Sequence, residues 1–245
     1  MRAENELILG FNEAENQKAV EVLGRLIPHF SQNNLVIVGG LAIRHHLLSR
    51  EVSYPQRSFN DLDLKIKDPT EIKPSICDEF WIYHYHPLRD SSFYIVLADP
   101  QTKIKIDIFD YNSPPLETEV VQIAGYSLQV RGLEDQFIKT LFDLMRITGR
   151  HRTDPKQFSD AILLMQIADL EKAQRFWTEK YAHIYPFTVQ EAISQAEEAR
   201  LKYPDRVFEH PYRRSAPYIC EECQEVPGFP ITPMQTIFDL LGYVE

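Results

Sequence analysis

The stretch Leu35-Val36-Ile37-Val38-Gly39-Gly40-Leu41-Ala42-Ile43-Arg44 constrains the fold of this chain more than any other. A run of aliphatic and β-branched residues ends on two glycines and gives way to a helix-like pattern, so it reads as strand, tight turn and helix. Glycine at such a turn lets the backbone come close to a ligand, and the N–H groups that open the helix suit a phosphate. A polar loop over 50–58, carrying Pro55, Arg57 and Ser58, then leads to Phe59-Asn60-Asp61-Leu62-Asp63-Leu64-Lys65-Ile66. Strict alternation there puts Asp61, Asp63, Lys65 and Lys67 on one face of a strand and Leu62, Leu64 and Ile66 on the other.

Two carboxylates held side by side raise each other's pKa unless a positive charge lies between them, and a divalent metal ion is the usual remedy. A third carboxylate appears in Lys103-Ile104-Lys105-Ile106-Asp107-Ile108-Phe109, where the three isoleucines make one face and Asp107 lies on the other. Asp99-Pro100-Gln101-Thr102 reads as the hairpin turn that pairs this strand with the one before it. An Asp-x-Asp strand taken alone is more often a solvated edge, and the Gly-Gly turn alone is as readily a plain connection as a ligand turn. Joined to Asp107, they point to a metal site made of Asp61, Asp63 and Asp107.

The rest of the chain supplies the frame. Apolar positions at Ala19, Val20, Leu23, Leu26 and Ile27 predict an amphipathic helix within 12–30, ending near Pro28. Strand-like runs follow at 81–85, 93–98, 104–109, 119–123 and 126–130. From Leu133 the pattern turns helical, over 134–148, 155–168, 169–181 and 188–201, with the basic Gly149-Arg150-His151-Arg152 between the first two. That loop is either solvated or a guide for a phosphate-bearing acceptor. The segment 203–233 is rich in proline and aromatics and is expected to wrap the surface, and 234–241 to close as a short helix. The expected architecture is α+β, with a mixed sheet and flanking helices in a first domain over 1–131 and a helical second domain over 132–245.

With 245 residues, 44% hydrophobic and 25% charged, the chain can bury a substantial core. A formal net charge of −10 disfavours broad non-specific nucleic-acid binding, which needs a basic surface, while leaving room for a small basic pocket. No apolar stretch approaches the roughly 20 residues that cross a bilayer. The opening residues 1–6 are too polar to begin a secretory signal, so a cytoplasmic location is expected. Three cysteines, Cys77, Cys220 and Cys223, are too few for a disulfide framework. Cys220-Glu221-Glu222-Cys223 has zinc or redox spacing, but no second paired motif completes it, unless Cys77 and His210 do. His45-His46 invites a metal reading, against which stands the geometry of a helix, where adjacent residues point in different directions.

The Gly-Gly turn, the Asp-x-Asp strand and the later single aspartate between isoleucines resemble, in order, the nucleotidyltransferase superfamily that includes DNA polymerase beta and the aminoglycoside nucleotidyltransferases. Within it the chain is most similar to the AbiEii/AbiGii-type toxin nucleotidyltransferases, whose motif here runs through Gly39, Gly40, Arg57, Ser58, Asp61 and Asp63. That family also has a lysine on the first helix of its helical half and an aspartate on the next, matched by Lys139 and Asp160; Gln157 departs from its common second aspartate. The resemblance covers about residues 35–170. It implies transfer of a nucleoside monophosphate from a nucleoside triphosphate to a hydroxyl with two Mg²⁺ ions. Asp61 and Asp63 would hold the metals and Asp107 would act as base or ligand. Gly39, Gly40, Arg57 and Ser58 would contact phosphate, Lys139 would neutralise pyrophosphate, and Asp160 would complete the set. The acceptor would be a transfer-RNA end, a protein or a small molecule, with an antitoxin as a potential partner. An inactive nucleotide-binding module and a kinase-like phosphotransferase are the alternatives.

Overall fold

The computed structural model describes residues 6–31, 34–89, 92–109, 115, 117–208, 232, 236, 239 and 240, and only the backbone of 83–89, 92 and 93. Helix α1 (Glu13–Leu26) precedes strand β1 (Leu35–Ile37), helix α2 (Gly39–Ser49) and strand β2 (Asp61–Ile66). Strands β3 (Trp81–Arg89), β4 (Ser92–Ala98), β5 (Lys105–Phe109), β6 (Thr118–Ile123) and β7 (Tyr126–Arg131) follow. Helices α3 (Leu133–Thr148), α4 (Pro155–Met165), α5 (Leu170–Lys180) and α6 (Val189–Lys202) make the second half. The class is α+β, as expected.

The seven strands form one mixed sheet in the order β3-β4-β5-β2-β1-β7-β6. β2 pairs β5 in parallel and β1 pairs β7 in parallel, while the other neighbours are antiparallel. The β4–β5 hairpin turns where the sequence predicts it. Asp99, fully buried, closes the turn by accepting from the Gln101 amide at 3.0 Å and from Thr102 Oγ1, and it binds Arg25 of α1.

On α1 the buried face is Ala19, Val22, Leu23 and Leu26, whereas Val20 is 40% exposed. Counting from Ala19, helical geometry brings Val22 and Leu23 to the same side and turns Val20 about 100° away, so the sequence expectation of a buried Val20 fails.

The helices of the second half start where their own side chains cap them. Asp154 accepts from the Gln157 amide at 3.0 Å, Asp169 from the Glu171 and Lys172 amides, and Thr188 with Glu191 forms a capping box. Helix α4 stops at Met165, short of the expected 168, in a turn that leads to the Asp169 cap.

Two apolar cores result. One lies under the sheet and includes Leu62, Leu64, Ile66, Ile106 and Ile108; the other joins the helices through Phe137, Leu141, Leu164 and Trp177. Helix α2 serves both, giving Leu41 and Ala42 to the first and Ile43 and Leu47 to the second. The residues that follow the Gly-Gly turn are therefore clamped from two sides. The backbone of residue 208 donates to Thr153, and that of residue 232 donates to Ile82. Most of the aromatic, proline-rich stretch, the Cys220 and Cys223 pair and most of the expected closing helix lie outside the described residues. Among the described residues no helix is long and apolar enough to cross a membrane.

Candidate active site

The parallel register of β2 and β5 aligns Asp61 with Lys105 and Asp63 with Asp107. Because side chains alternate across a strand, these four residues share one face, opposite Leu62, Leu64, Ile106 and Ile108, which are fully buried. Asp61 is exposed, Asp63 half-buried and Asp107 buried. Lys105 and Asp107 form an ion pair with Nζ 2.6 Å from Oδ2, and the Tyr94 hydroxyl donates to the other carboxylate oxygen at 2.8 Å. Tyr94 in turn stacks on Phe109, with ring centroids 5.0 Å apart.

The turn before α2 meets this face at Asp63. The Val38 amide donates to the Asp63 carbonyl at 3.1 Å, tying the turn to β2. Gly39 has φ +62°, which side chains rarely adopt, and a Cβ there would lie 2.2 Å from Asp63 Oδ2. Two independent constraints thus select glycine at this position. An added Cβ at Gly40 would meet nothing within 4 Å. Among the described residues no side chain caps the start of α2, which leaves its first amides open beside the Asp63 carboxylate.

The electrostatics follow from this crowding. Burial, then Asp61 and Asp107, push the Asp63 pKa up to about 7, against the pull of Lys105 and Lys156. Asp107 is also raised, because burial outweighs the help it receives from Lys105 and Tyr94. Burial opposes the Lys105 ammonium, yet the neighbouring Asp107, with Asp63 and Asp61 beyond it, keeps its pKa above the usual lysine value.

The acidic face is a fit for Mg²⁺ in donor chemistry. Its ligands are hard carboxylate oxygens, and Asp63 is raised first by burial and then by the charges of Asp61 and Asp107, the second an effect that a cation would relieve. Asp61 and Asp63 are the pair to hold it, since Asp107 already has an ammonium and a hydroxyl on it. Among the described residues, however, the group whose ligand atoms converge to within 4.8 Å is His45, His46 and Glu119, not the three aspartates.

The other sequence-predicted residues divide. Arg57 and Asp160 come together in their own ion pair at 2.9 Å, with the Tyr54 hydroxyl accepting from Arg57 at 2.6 Å and donating to Asp160 at 3.3 Å. This network fastens the loop before β2 to α4. Arg44 backs it by donating to the Arg57 carbonyl at 3.1 Å while its guanidinium lies 4.8 Å from the Tyr54 ring centroid and 3.8 Å from that of Phe11. Ser58 is exposed beside it. Lys139 pairs with Asp143 one turn along α3 and lies 5.8 Å from the Phe142 ring centroid. Lys156, in the first turn of α4, carries a charge that acts on Asp63.

Sequence reasoning missed Lys105, Tyr94, Arg44 and Lys156. Alternation alone gave a signal for Lys105, two residues before Asp107 on the same face. Nothing local marked the others.

No family model matches the chain, and no curated protein matches it. Among solved structures it is similar to an antigenic nucleotidyltransferase-like protein from Paracoccidioides brasiliensis, at 16% identity, over 76% of this chain and 94% of that one, with a TM-score of 0.42.

Proposed function

We propose that the chain is a nucleotidyltransferase that moves a nucleoside monophosphate from a nucleoside triphosphate to a hydroxyl acceptor. The observation that carries this reading is the set of Asp61, Asp63 and Asp107 on two adjacent parallel strands, facing a helix start whose Gly39 is shaped around the Asp63 carboxylate. Asp61 and Asp63 would hold Mg²⁺, one ion or two. When bound, Mg²⁺ supplies positive charge that polarises the phosphoryl oxygens and eases loss of the acceptor's proton.

The chain's own residues do the rest. Open amides at the start of α2 bind triphosphate oxygens, a role that needs close backbone approach and hence the glycine at position 39. Asp107, fixed by Lys105 and Tyr94, orients the acceptor hydroxyl and takes its proton. Lys156 offsets charge on the departing pyrophosphate, the role that the resemblance implies for Lys139, whose own charge is met by Asp143. Arg57 and Asp160 act by positioning, holding the loop before β2 against α4. The acceptor is a transfer-RNA end, a protein or a small molecule, and an AbiEii-like toxin with an antitoxin partner is the finer form of this reading.

A second reading is favoured by one observation: the Lys105 ammonium already occupies Asp107, as a built-in cation would in a nucleotide-binding module without chemistry. Purified protein incubated with Mg²⁺, each α-labelled nucleoside triphosphate and total transfer RNA decides between them. Label on RNA or protein that disappears in Asp61→Ala/Asp63→Ala supports transfer. Label arriving only from the γ-position makes it a phosphotransferase. No transfer from either position, with nucleotide still raising the melting temperature, leaves the binding module or a small-molecule acceptor.

A further inference from the structure

A cluster of metal-type ligands lies away from the acidic face. His45 and His46 follow each other on α2, Glu119 lies on the edge strand β6, and one ligand atom of each falls within 4.8 Å of the others. Consecutive helical side chains diverge, which is why the sequence argues against a shared site; the rings are nonetheless tilted to a centroid separation of 5.5 Å, and β6 brings the carboxylate to them.

His46 is fully buried. Its Nε2–H donates to the Arg131 carbonyl at 2.7 Å, which fixes the ring proton on Nε2 and leaves a lone pair on Nδ1. That Nδ1 is buried and has no hydrogen-bond partner. It faces Glu119 Oε1 at 3.8 Å, too far for a hydrogen bond. Two ligands of a tetrahedral metal, each about 2.0–2.1 Å from it, sit about 3.4 Å apart, so a small closure would seat a cation between them.

His45, 6% exposed, accepts the Ile8 amide on Nδ1 at 3.1 Å. Ligation by either nitrogen breaks that bond: at Nδ1 the metal displaces the N–H, and at Nε2 the ring proton must move to Nδ1. The segment holding Ile8 lies along β6, with Leu7 N–H donating to the Gln122 carbonyl at 3.0 Å.

We propose that His45, His46 and Glu119 form a site for a divalent transition metal of the zinc class, distinct from the oxygen-only acidic face, which fastens α2 to β6 and frees the Ile8 amide. Two imidazoles and one carboxylate are donors typical of zinc. Burial, the largest influence on each ring, lowers both histidine pKa values to about 4, so both imidazoles are neutral and able to ligate at neutral pH. The Glu119 side chain is 42% exposed, which gives an ion a way in and a water the fourth position.

The test uses the full chain, stripped with chelator and titrated with Co²⁺ followed by visible absorption, then challenged with Zn²⁺. The expected result is one equivalent with a tetrahedral spectrum, displaced by Zn²⁺, at least tenfold weaker in Glu119→Gln and unchanged in Asp61→Ala/Asp63→Ala. Ile8 amide exchange, followed by NMR, is expected to speed up in the Zn²⁺-loaded protein. Glu119→Gln preserves size at a partly exposed position, so it tests the site without the burial loss that His46→Ala brings. No tetrahedral equivalent, equal binding by Glu119→Gln, loss of binding in the aspartate variant, or a thiolate charge-transfer band would overturn the proposal. Unchanged Ile8 exchange on metal binding would overturn the part given to His45.

Discussion

A buried carboxylate and a half-buried one, on opposite halves of the molecule, meet opposite company. Asp135 on α3 is fully buried between Lys180 at 2.8 Å and Arg131 at 3.4 Å, so its charge is answered twice by cations. Asp63 on β2 sits among two further aspartates, and its proton is held up to about pH 7. The first arrangement is a closed structural pair, the second an open account of negative charge. Compensated burial ties elements together, here β7, α3 and α5; uncompensated burial stores a demand for a cation or a proton.

The comparison breaks most visibly in function. Asp61→Ala/Asp63→Ala is expected to lower nucleotide transfer at least about 10³-fold, close to 4 kcal/mol, while leaving the melting temperature at neutral pH unchanged or raised. A double variant that transfers at wild-type rate would remove the acidic face from the chemistry. Asp135→Ala should do the reverse. It strands Arg131 and Lys180 in the interior and should cost about 3 kcal/mol in urea unfolding, enough to lower activity only through loss of folded protein.

pH sharpens the contrast. The folded protein keeps the Asp63 proton to about pH 7, whereas an unfolded aspartate releases it near 3.8, so the folded state binds more protons across that window and this contribution falls as pH rises through it. His45 and His46 act with the opposite sign. Their folded pKa of about 4 against 6.5 unfolded means that the unfolded chain binds more protons there, so their contribution grows from pH 4 to 6.5 and is complete above it. The unfolding free energy of Asp63→Asn from urea titrations between pH 4.5 and 7.5 should therefore rise more steeply than that of wild type, by up to about 1.4 kcal/mol per pH unit. Parallel curves would show that Asp63 does not carry the shifted proton.

The smallest effect separates neighbouring glycines. Gly39→Ala meets both a positive φ and the Asp63 oxygen and should cost about 1–2 kcal/mol together with most of the activity. Gly40→Ala has open space and should stay within about 0.5 kcal/mol of wild type with activity retained. Equal losses at both would mean that helix-start flexibility, not contact with Asp63, sets the need for glycine.

Much of the frame was legible in the chain. Period-two alternation set the aspartates on one face and buried Leu62, Leu64, Ile106 and Ile108 on the other, and the Asp99 turn followed from turn chemistry that acts over three or four residues. Val20 was misjudged because a lone apolar residue carries no information about which side of the helix its neighbours bury. Arg57 and Asp160 were both singled out, but that they answer each other across 103 residues was not.

What the sequence determined by itself was the local: which strands and helices form, which face of each is apolar, and that three carboxylates stand on polar faces. The tertiary structure alone decided which charges meet. The parallel register of β2 and β5 sets Asp63 against Asp107 and brings Lys105 among them, the docking of α4 brings Lys156 toward Asp63, and the edge position of β6 turns two adjacent histidines toward one glutamate. Alternation and capping are short-range and repeat along a chain, whereas register and docking are fixed by the packing of whole faces, and no residue spacing encodes the distance between charges on different elements.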